Sequence, residues 1–121
     1  MTRQIKMSWN RFETSIRQLA RKIKISEVKI STIYGNPRGG LIIAVRLSHL
    51  LNVPLITDVQ KADFDTLFVD DIVDTGSQMK EYAQTFKVAS LWLNPHASFV
   101  PDFFMLIKPY DSWIVFPWEK K

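Results

Sequence analysis

Cysteine is absent from the 121 residues of this chain, which excludes disulfides and thiolate metal sites. No apolar run reaches the roughly 18 residues that a membrane-spanning helix needs. The first six residues also lack the apolar stretch of a signal peptide. These absences lead us to expect a cytoplasmic protein with no membrane partner.

Positive charge is in modest excess, with a net charge of +4, and much of it lies within the first 24 residues. A basic surface is one property of nucleic-acid-binding proteins, but no motif of that class occurs in the sequence. We therefore interpret the basic residues as a solvated helix face that also attracts anionic substrates.

Hydrophobic periodicity indicates alternating strands and helices in one domain over residues 1–121. The predicted helices cover residues 8–24, 41–51 and 79–86. The predicted strands cover residues 28–34, 54–58, 66–71, 88–93 and 103–107, and residues 35–40 are predicted to form a glycine-rich loop. Such alternation predicts an α/β fold with a Rossmann-like, twisted, mainly parallel sheet flanked by helices.

The segment LFVDDIVDTGSQM, residues 67–79, is the most informative part of the chain. An apolar run ends in the adjacent carboxylates Asp70 and Asp71, and a turn of small residues follows before a helical pattern. Ligands of parallel sheets bind beyond the carboxyl ends of the strands. Carboxylates there suit ribose hydroxyls or Mg²⁺, and backbone N–H groups at a helix start suit a phosphate. The segment therefore predicts a sugar-phosphate site.

Residues 69–77 resemble the phosphoribosyl pyrophosphate (PRPP) signature of type I phosphoribosyltransferases. The segments MSW (7–9), PRGGL (37–41) and DSWIVFPWE (111–119) extend the resemblance to bacterial xanthine-guanine phosphoribosyltransferases over most of the chain. The resemblance implies a small C-terminal hood on the sheet. It also implies Mg²⁺-dependent transfer of 5-phosphoribose from PRPP to a purine base, release of pyrophosphate, a role in nucleotide salvage, and a homodimer or larger assembly.

The resemblance also assigns roles to individual residues. Asp70 and Asp71 would bind the ribose hydroxyls, with Asp71 as a metal ligand. The predicted 5-phosphate loop consists of Asp74, Thr75, Gly76, Ser77 and Gln78, and the predicted pyrophosphate loop of Pro37, Arg38 and Gly39. Asp74, as general base near the purine N7, and Arg38 are the predicted catalytic residues. An N-cap role for Asp74 is compatible with this assignment.

The base is expected to contact four residues: Asn94, Trp113, Ile114 and Glu119. Trp113 would stack on the purine, and the backbone of Ile114 would contact its edge. Glu119 would lie near the group at C2. Asn94 stands where the family has a lysine that donates to the oxygen at C6. As an alternative to contacting the base, the C-terminal aromatic residues would form a hydrophobic plug that closes the core.

Two features depart from the family. Residues 59–65 form only a short connection where the family has a long mobile loop that covers the active site. Gln78 also replaces a small hydroxyl residue. These departures motivate an alternative function, a regulatory protein that binds PRPP or a nucleotide with little catalysis.

Overall fold

A parallel five-stranded sheet with the strand order β3-β2-β4-β5-β6 forms the centre of the molecule. The computed structural model describes residues 2–120, so residues 1 and 121 of the expected domain lie outside the described part. The strands are β1 (Arg3–Lys6), β2 (Thr32–Gly35), β3 (Leu55–Ile56), β4 (Thr66–Val73), β5 (Lys87–Leu93), β6 (Phe103–Ile107) and β7 (Ser112–Val115). The helices are α1 (Trp9–Ser26), α2 (Gly39–Leu51) and α3 (Lys80–Ala83). The predicted α/β architecture is confirmed.

Helix α1 begins at the predicted place because Ser8 caps it. The Ser8 hydroxyl accepts a hydrogen bond from the backbone N–H of Arg11 (3.1 Å), which satisfies one of the free donors of the first turn. Phe12, Ile16 and Leu19 recur at helical spacing and are buried. The helix ends at Ser26, two residues beyond the predicted end.

Strand β4 occupies the centre of the sheet, between β2 and β5. Its first five residues are buried, as expected of a strand covered on both faces. Helix α2 packs against β2 and β4. The strands predicted over residues 66–71, 88–93 and 103–107 are confirmed as β4, β5 and β6. The acidic pair therefore lies on the central strand, near its carboxyl end.

The strand predicted over residues 28–34 is wrong in its first half, because β2 begins only at Thr32. Its partner β4 begins at Thr66, directly opposite Thr32, and the two hydroxyls are 2.7 Å apart. The N–H of Ser31 bonds the Asp65 carbonyl instead (2.9 Å), outside the sheet ladder. The alternating residues 28–31 therefore lie outside the sheet, because the pairing of β2 with β4 begins only at Thr32.

The glycine-rich loop is shorter than the predicted residues 35–40. Gly35 is the last residue of β2, and α2 begins at Gly39, so only residues 36–38 connect them. The predicted helix over 41–51 is confirmed, with two glycines added at its start. The structure thus places this loop between a strand end and a helix start.

Two other elements are shorter than predicted. The strand expected over residues 54–58 contains only two residues, and the helix expected over 79–86 is a single turn. Phe86 N donates to the Tyr82 carbonyl (2.8 Å), and β5 begins at the next residue, Lys87. Residues 84–86 therefore form a turn between α3 and β5 rather than a further part of the helix.

The hood contains a parallel strand pair that the sequence patterns did not predict. Strand β1 pairs with β7, with Arg3 opposite Ser112. The aromatic rings of Phe116 and Trp118 stack with centroids 5.0 Å apart, and Trp118 also meets Phe12 edge-on at 5.4 Å. Both ends of the chain therefore build the hood, and these two aromatic residues attach it to α1 as a hydrophobic plug.

Within residues 2–120, no helix combines the length and the apolar character needed to cross a bilayer.

Candidate functional site

The loops at the carboxyl ends of β2 and β4 enclose a cavity of about 310 Å³. Its wall includes Asn36, Pro37, Gly39, Asp70, Asp71 and the whole turn of residues 74–79. A second cavity of about 180 Å³ adjoins it, shares Asp71 and Asp74, and is closed by the hood residues Trp113 and Ile114. The predicted site residues thus meet at one edge of the sheet, as the strand order requires.

Asp70 and Asp71 lie near the carboxyl end of β4 at this edge of the sheet. Desolvation is the main influence on the pKa values of both side chains. Asp70 is 8% exposed; its Oδ2 accepts from Asn36 Nδ2 (3.1 Å) and its Oδ1 from the N–H of Asp71 (2.9 Å). Desolvation, with a smaller contribution from the neighbouring Asp71 carboxylate, raises the pKa of Asp70 to about 8. Desolvation also raises the pKa of Asp71. A buried carboxylate next to a half-buried one favours a cation or hydroxyl donors between them.

The turn after β4 depends on a glycine in a left-handed conformation. Gly76 adopts a φ of +87°, and a Cβ there would lie 2.4 Å from the Ser98 hydroxyl, so only glycine fits. The hydroxyls of Thr75 and Ser77 are 2.9 Å apart. Both side chains and that of Gln78 are exposed at the cavity. The structure thus brings the predicted 5-phosphate residues together, and their role stays a prediction.

The loop between β2 and α2 packs directly against the acidic pair. A Cβ on Gly39 would lie 2.0 Å from Asp71 Oδ2, so a side chain at this position would displace the carboxylate. Pro37 and Arg38 are joined by a cis peptide bond, and Arg38 precedes the first helical residue of α2. Arg38 is exposed and borders a third cavity, of about 790 Å³, that also contacts Asp71. The predicted pyrophosphate loop is therefore adjacent to the predicted metal ligand.

Asp74 is held by two donors at the boundary of the two cavities. Asn94 Nδ2 lies 2.9 Å from Asp74 Oδ1, and Lys108 Nζ lies 3.2 Å from the same atom. Asn94 also accepts from the N–H of His96 (3.0 Å) through its side-chain oxygen. The predicted base contact Asn94 is thus placed beside the predicted general base, and its amide bonds within the protein on both sides.

The remaining predicted base contacts line the smaller cavity. Trp113 is 51% exposed, whereas Ile114 is buried in β7. Glu119 borders this cavity, and its Oε1 accepts from the N–H of Phe116 (2.8 Å). Glu119 therefore closes a turn of the hood while it faces the site.

Sequence reasoning missed Asn36 and Lys108. Asn36 donates to Asp70 and also to Gln78 Oε1 (3.3 Å), so it links the acidic strand end to the turn. Asn36 directly follows β2, and Lys108 directly follows β6. That position is the signal that was available in the sequence, because the ends of parallel strands meet at one edge.

Known proteins of similar sequence and structure define the class. A purine phosphoribosyltransferase from Pyrococcus horikoshii is 30% identical and superposes with a TM-score of 0.81, over 98% of this chain and 95% of that one. A xanthine-guanine phosphoribosyltransferase from Idiomarina loihiensis is 28% identical, over 97% of this chain and 88% of the relative. No family model matches the chain.

The fold is that of the α/β phosphoribosyltransferases, and the chain belongs to the type I phosphoribosyltransferase family. Within that family it is similar to the bacterial xanthine-guanine phosphoribosyltransferases. The Helicobacter pylori xanthine-guanine-hypoxanthine phosphoribosyltransferase has the same fold, with a TM-score of 0.83 at 20% identity over 98% of this chain and 93% of that one.

Proposed function

We propose that the protein is a purine phosphoribosyltransferase that transfers the 5-phosphoribosyl group of PRPP to a purine base and releases pyrophosphate in nucleotide salvage. One observation carries the proposal: the acidic pair, the glycine turn and the Arg38 loop share one sheet edge, with an aromatic-walled cavity beside them. The named relatives are phosphoribosyltransferases, which favours catalysis over the regulatory alternative.

In the proposed reaction, the bond between the anomeric carbon of ribose and the pyrophosphate oxygen breaks, and a bond to a purine nitrogen forms. The transition state resembles the oxocarbenium ion of glycoside hydrolysis. Catalysis therefore depends on holding both reactants in place and on neutralising the departing pyrophosphate. The turn of residues 74–78 would hold the 5-phosphate, and Arg38 would donate to the pyrophosphate.

Asp74 is the proposed general base. Its carboxylate is oriented by Asn94 and Lys108 at the boundary between the sugar-phosphate cavity and the base cavity. A carboxylate at that boundary can accept the proton of a purine ring nitrogen as the new glycosidic bond forms at the other nitrogen of the five-membered ring. Trp113 would stack on the base and limit its rotation.

Mg²⁺ is the proposed cofactor, and Asp71, with Asp70 beside it, would hold the ion. No cluster of three or more acidic, histidine or cysteine residues within residues 2–120 is arranged to hold a metal. Two carboxylates are sufficient for Mg²⁺, which commonly takes its other ligands from water and substrate phosphates. When bound, Mg²⁺ would neutralise charge on the pyrophosphate. The raised pKa values of both carboxylates fit a pair that a cation would stabilise.

A product assay tests the proposal. Purified protein, PRPP and Mg²⁺ are incubated separately with guanine, xanthine, hypoxanthine and adenine, and nucleoside monophosphate is measured by mass spectrometry. We expect product from at least one base. Asp74→Asn should lower turnover by about 100-fold or more, because general-base catalysis contributes about 10²–10⁴-fold. Arg38→Ala should have a similar effect, because loss of one donor to developing negative charge costs about 10²–10³-fold.

Lys24→Gln changes an exposed residue of α1 and should retain full activity. All variants are checked for an unchanged circular-dichroism spectrum. Absence of product with every base from folded protein, or full activity of both site variants, would contradict the proposed mechanism.

A further inference from the structure

Asn36 is the first residue after β2, and three hydrogen bonds fix it beside the end of β4. Its backbone N–H donates to the Val69 carbonyl (2.9 Å). Its side-chain nitrogen donates to Asp70 Oδ2 (3.1 Å) and to Gln78 Oε1 (3.3 Å). An amide nitrogen carries two hydrogens, so these two contacts use both of them. Asn36 therefore joins the acidic end of the central strand to the turn that follows it.

Gln78 is the flexible member of this group. Its side chain is exposed at the wall of the sugar-phosphate cavity, which Asn36 and Asp70 also line. Asn36 holds the amide oxygen of Gln78, and no acceptor within residues 2–120 takes a hydrogen bond from its amide nitrogen. A phosphate oxygen in the cavity is an acceptor that suits such a donor. The contact with Asn36 thus leaves Gln78 with a donor that is free to bind an anion.

A glutamine that is held before a ligand arrives should bind that ligand more tightly. A free glutamine side chain loses rotamer freedom when it binds, and this loss lowers affinity. Asn36 restricts Gln78 in advance, through the oxygen atom that a phosphate does not use. Loss of Asn36 should therefore weaken phosphate binding less than loss of the Gln78 amide, because the second change removes the hydrogen bond itself.

We propose that Asn36 is a positioning residue for the sugar phosphate: it holds Gln78 so that the amide nitrogen of Gln78 donates to the 5-phosphate of ribose. The inference rests on the proposed function, because it assumes that a 5-phosphoribosyl group occupies this cavity. It goes further by giving a role to Asn36, which the resemblance leaves unassigned, and by naming the donor atom of Gln78.

Calorimetric titration with ribose 5-phosphate tests the proposal without turnover. Gln78→Met removes the donor and keeps the length of the side chain. The dissociation constant should rise by about 10-fold or more, the equivalent of one hydrogen bond to a charged group. Asn36→Leu removes only the support of Gln78 and should raise the dissociation constant by about 3- to 10-fold. Gln84, an exposed glutamine directly after α3, provides the matched control, and Gln84→Met should bind as wild type does.

The double variant separates the two side-chain partners of Asn36. If Asn36 acts through Gln78, adding Asn36→Leu to Gln78→Met should change the dissociation constant by about twofold or less. If it acts through Asp70 alone, the two effects should multiply, which would overturn the inference. Asn36→Ala is measured beside Asn36→Leu, because the smaller side chain cannot crowd the strand end. Thermal melting of each variant confirms that the fold is kept.

Steady-state kinetics give a second measurement, which a loss of structure would affect differently. Asn36→Leu and Gln78→Met should raise KM for PRPP, while kcat and KM for the purine base stay within about twofold of wild type. An equal rise of both KM values, or a fall of kcat with KM for PRPP unchanged, would contradict a role confined to the phosphate.

The binding and activity results distinguish this inference from the proposed function. Weaker binding of ribose 5-phosphate in both single variants supports the role of Asn36 even if no base gives a nucleotide. Unchanged binding in Gln78→Met, or no binding of ribose 5-phosphate to wild type, would overturn the inference even if the protein is an active transferase.

Discussion

At the scale of single residues, Gly76 has the most restrictive environment of the predicted phosphate turn. Its φ of +87° and the nearby Ser98 hydroxyl both exclude a side chain. We expect Gly76→Ala to destabilise the fold by about 1–3 kcal/mol and to impair PRPP binding, as measured by urea unfolding and by KM. In the double variant with Ser98→Gly, stability should recover only in part, because the close contact is relieved and the backbone strain remains. Unchanged stability of Gly76→Ala would contradict this account.

Asp71 supports a prediction about magnesium. Its carboxylate lies against the Gly39 backbone at the boundary of three cavities. We expect Asp71→Asn to raise the Mg²⁺ concentration that gives half-maximal rate by at least about 10-fold, since loss of groups that support a metal typically costs 10–100-fold in affinity or activity. Asp65→Asn, at a surface ion pair with Lys29, is the control. A rate independent of Mg²⁺, or an identical requirement in Asp71→Asn, would exclude the metal role.

At the scale of elements, Glu13 connects α1 to α2. Its carboxylate accepts two hydrogen bonds from Arg46 (2.9 and 2.6 Å) and one from Arg17 on its own helix (2.5 Å). Hydrogen bonding to Arg46 lowers the pKa of Glu13 from 4.5 to about 2, with a smaller contribution from Arg17. The side chains of Glu13 and Arg46 both remain partly exposed. Their ion pair therefore contributes to stability as a surface pair does, by about 1 kcal/mol or less.

The direction of the pH dependence follows from the lowered pKa. The folded state binds the Glu13 proton less readily than the unfolded state, so this contribution is present above pH 4.5 and is lost as the pH falls toward about 2. We expect the melting-temperature difference between wild type and Glu13→Gln to shrink between pH 6 and pH 3. A difference that is constant or grows at low pH would show that the ion pair does not contribute in this way.

At the scale of the whole molecule, the connection between β3 and β4 is too short to cover the site. It contains one 3₁₀ turn (Val59–Lys61) before β4 begins at Thr66. Lys61 is exposed and is not among the residues that line the three site cavities. Water exclusion strengthens electrostatic stabilisation and prevents hydrolysis of reactive intermediates. The proposed enzyme should therefore lose part of its PRPP to water.

The measurement is the release of ribose 5-phosphate from PRPP in the absence of base, followed by mass spectrometry and compared with nucleotide formation. Asp71→Asn and a protein-free sample with Mg²⁺ are the controls. Base-dependent turnover with no release of ribose 5-phosphate would show that the site is shielded in some other way. The expected homodimer or larger assembly stays a prediction, which a light-scattering mass of the purified protein would check.

Much of the site could be predicted because its residues follow strands. Asp70 and Asp71 end an apolar run, and Arg38 follows the first strand of the sheet, so parallel strand order alone brings them together. Lys108 also follows a predicted strand, but its sequence neighbours carry no motif that assigns it a role. Its role depends on contact with Asp74, which lies 34 positions earlier in the chain. The pairing of β1 with β7 was missed for a similar reason, because four-residue strands at opposite ends of the chain show no local signal.

The sequence by itself determined the α/β class, the strand that carries the acidic pair, the glycine turn at Gly76 and the short connection after β3, because periodicity, turn residues and segment length are local properties. Only the tertiary structure decided where β2 begins, how short α3 is, which strands build the hood and which side chains hold Asp74. Strand ends depend on the partner strand, and enclosure of Lys108 depends on three separate segments meeting. Such contacts are formed across long sequence distances, so no local pattern encodes them.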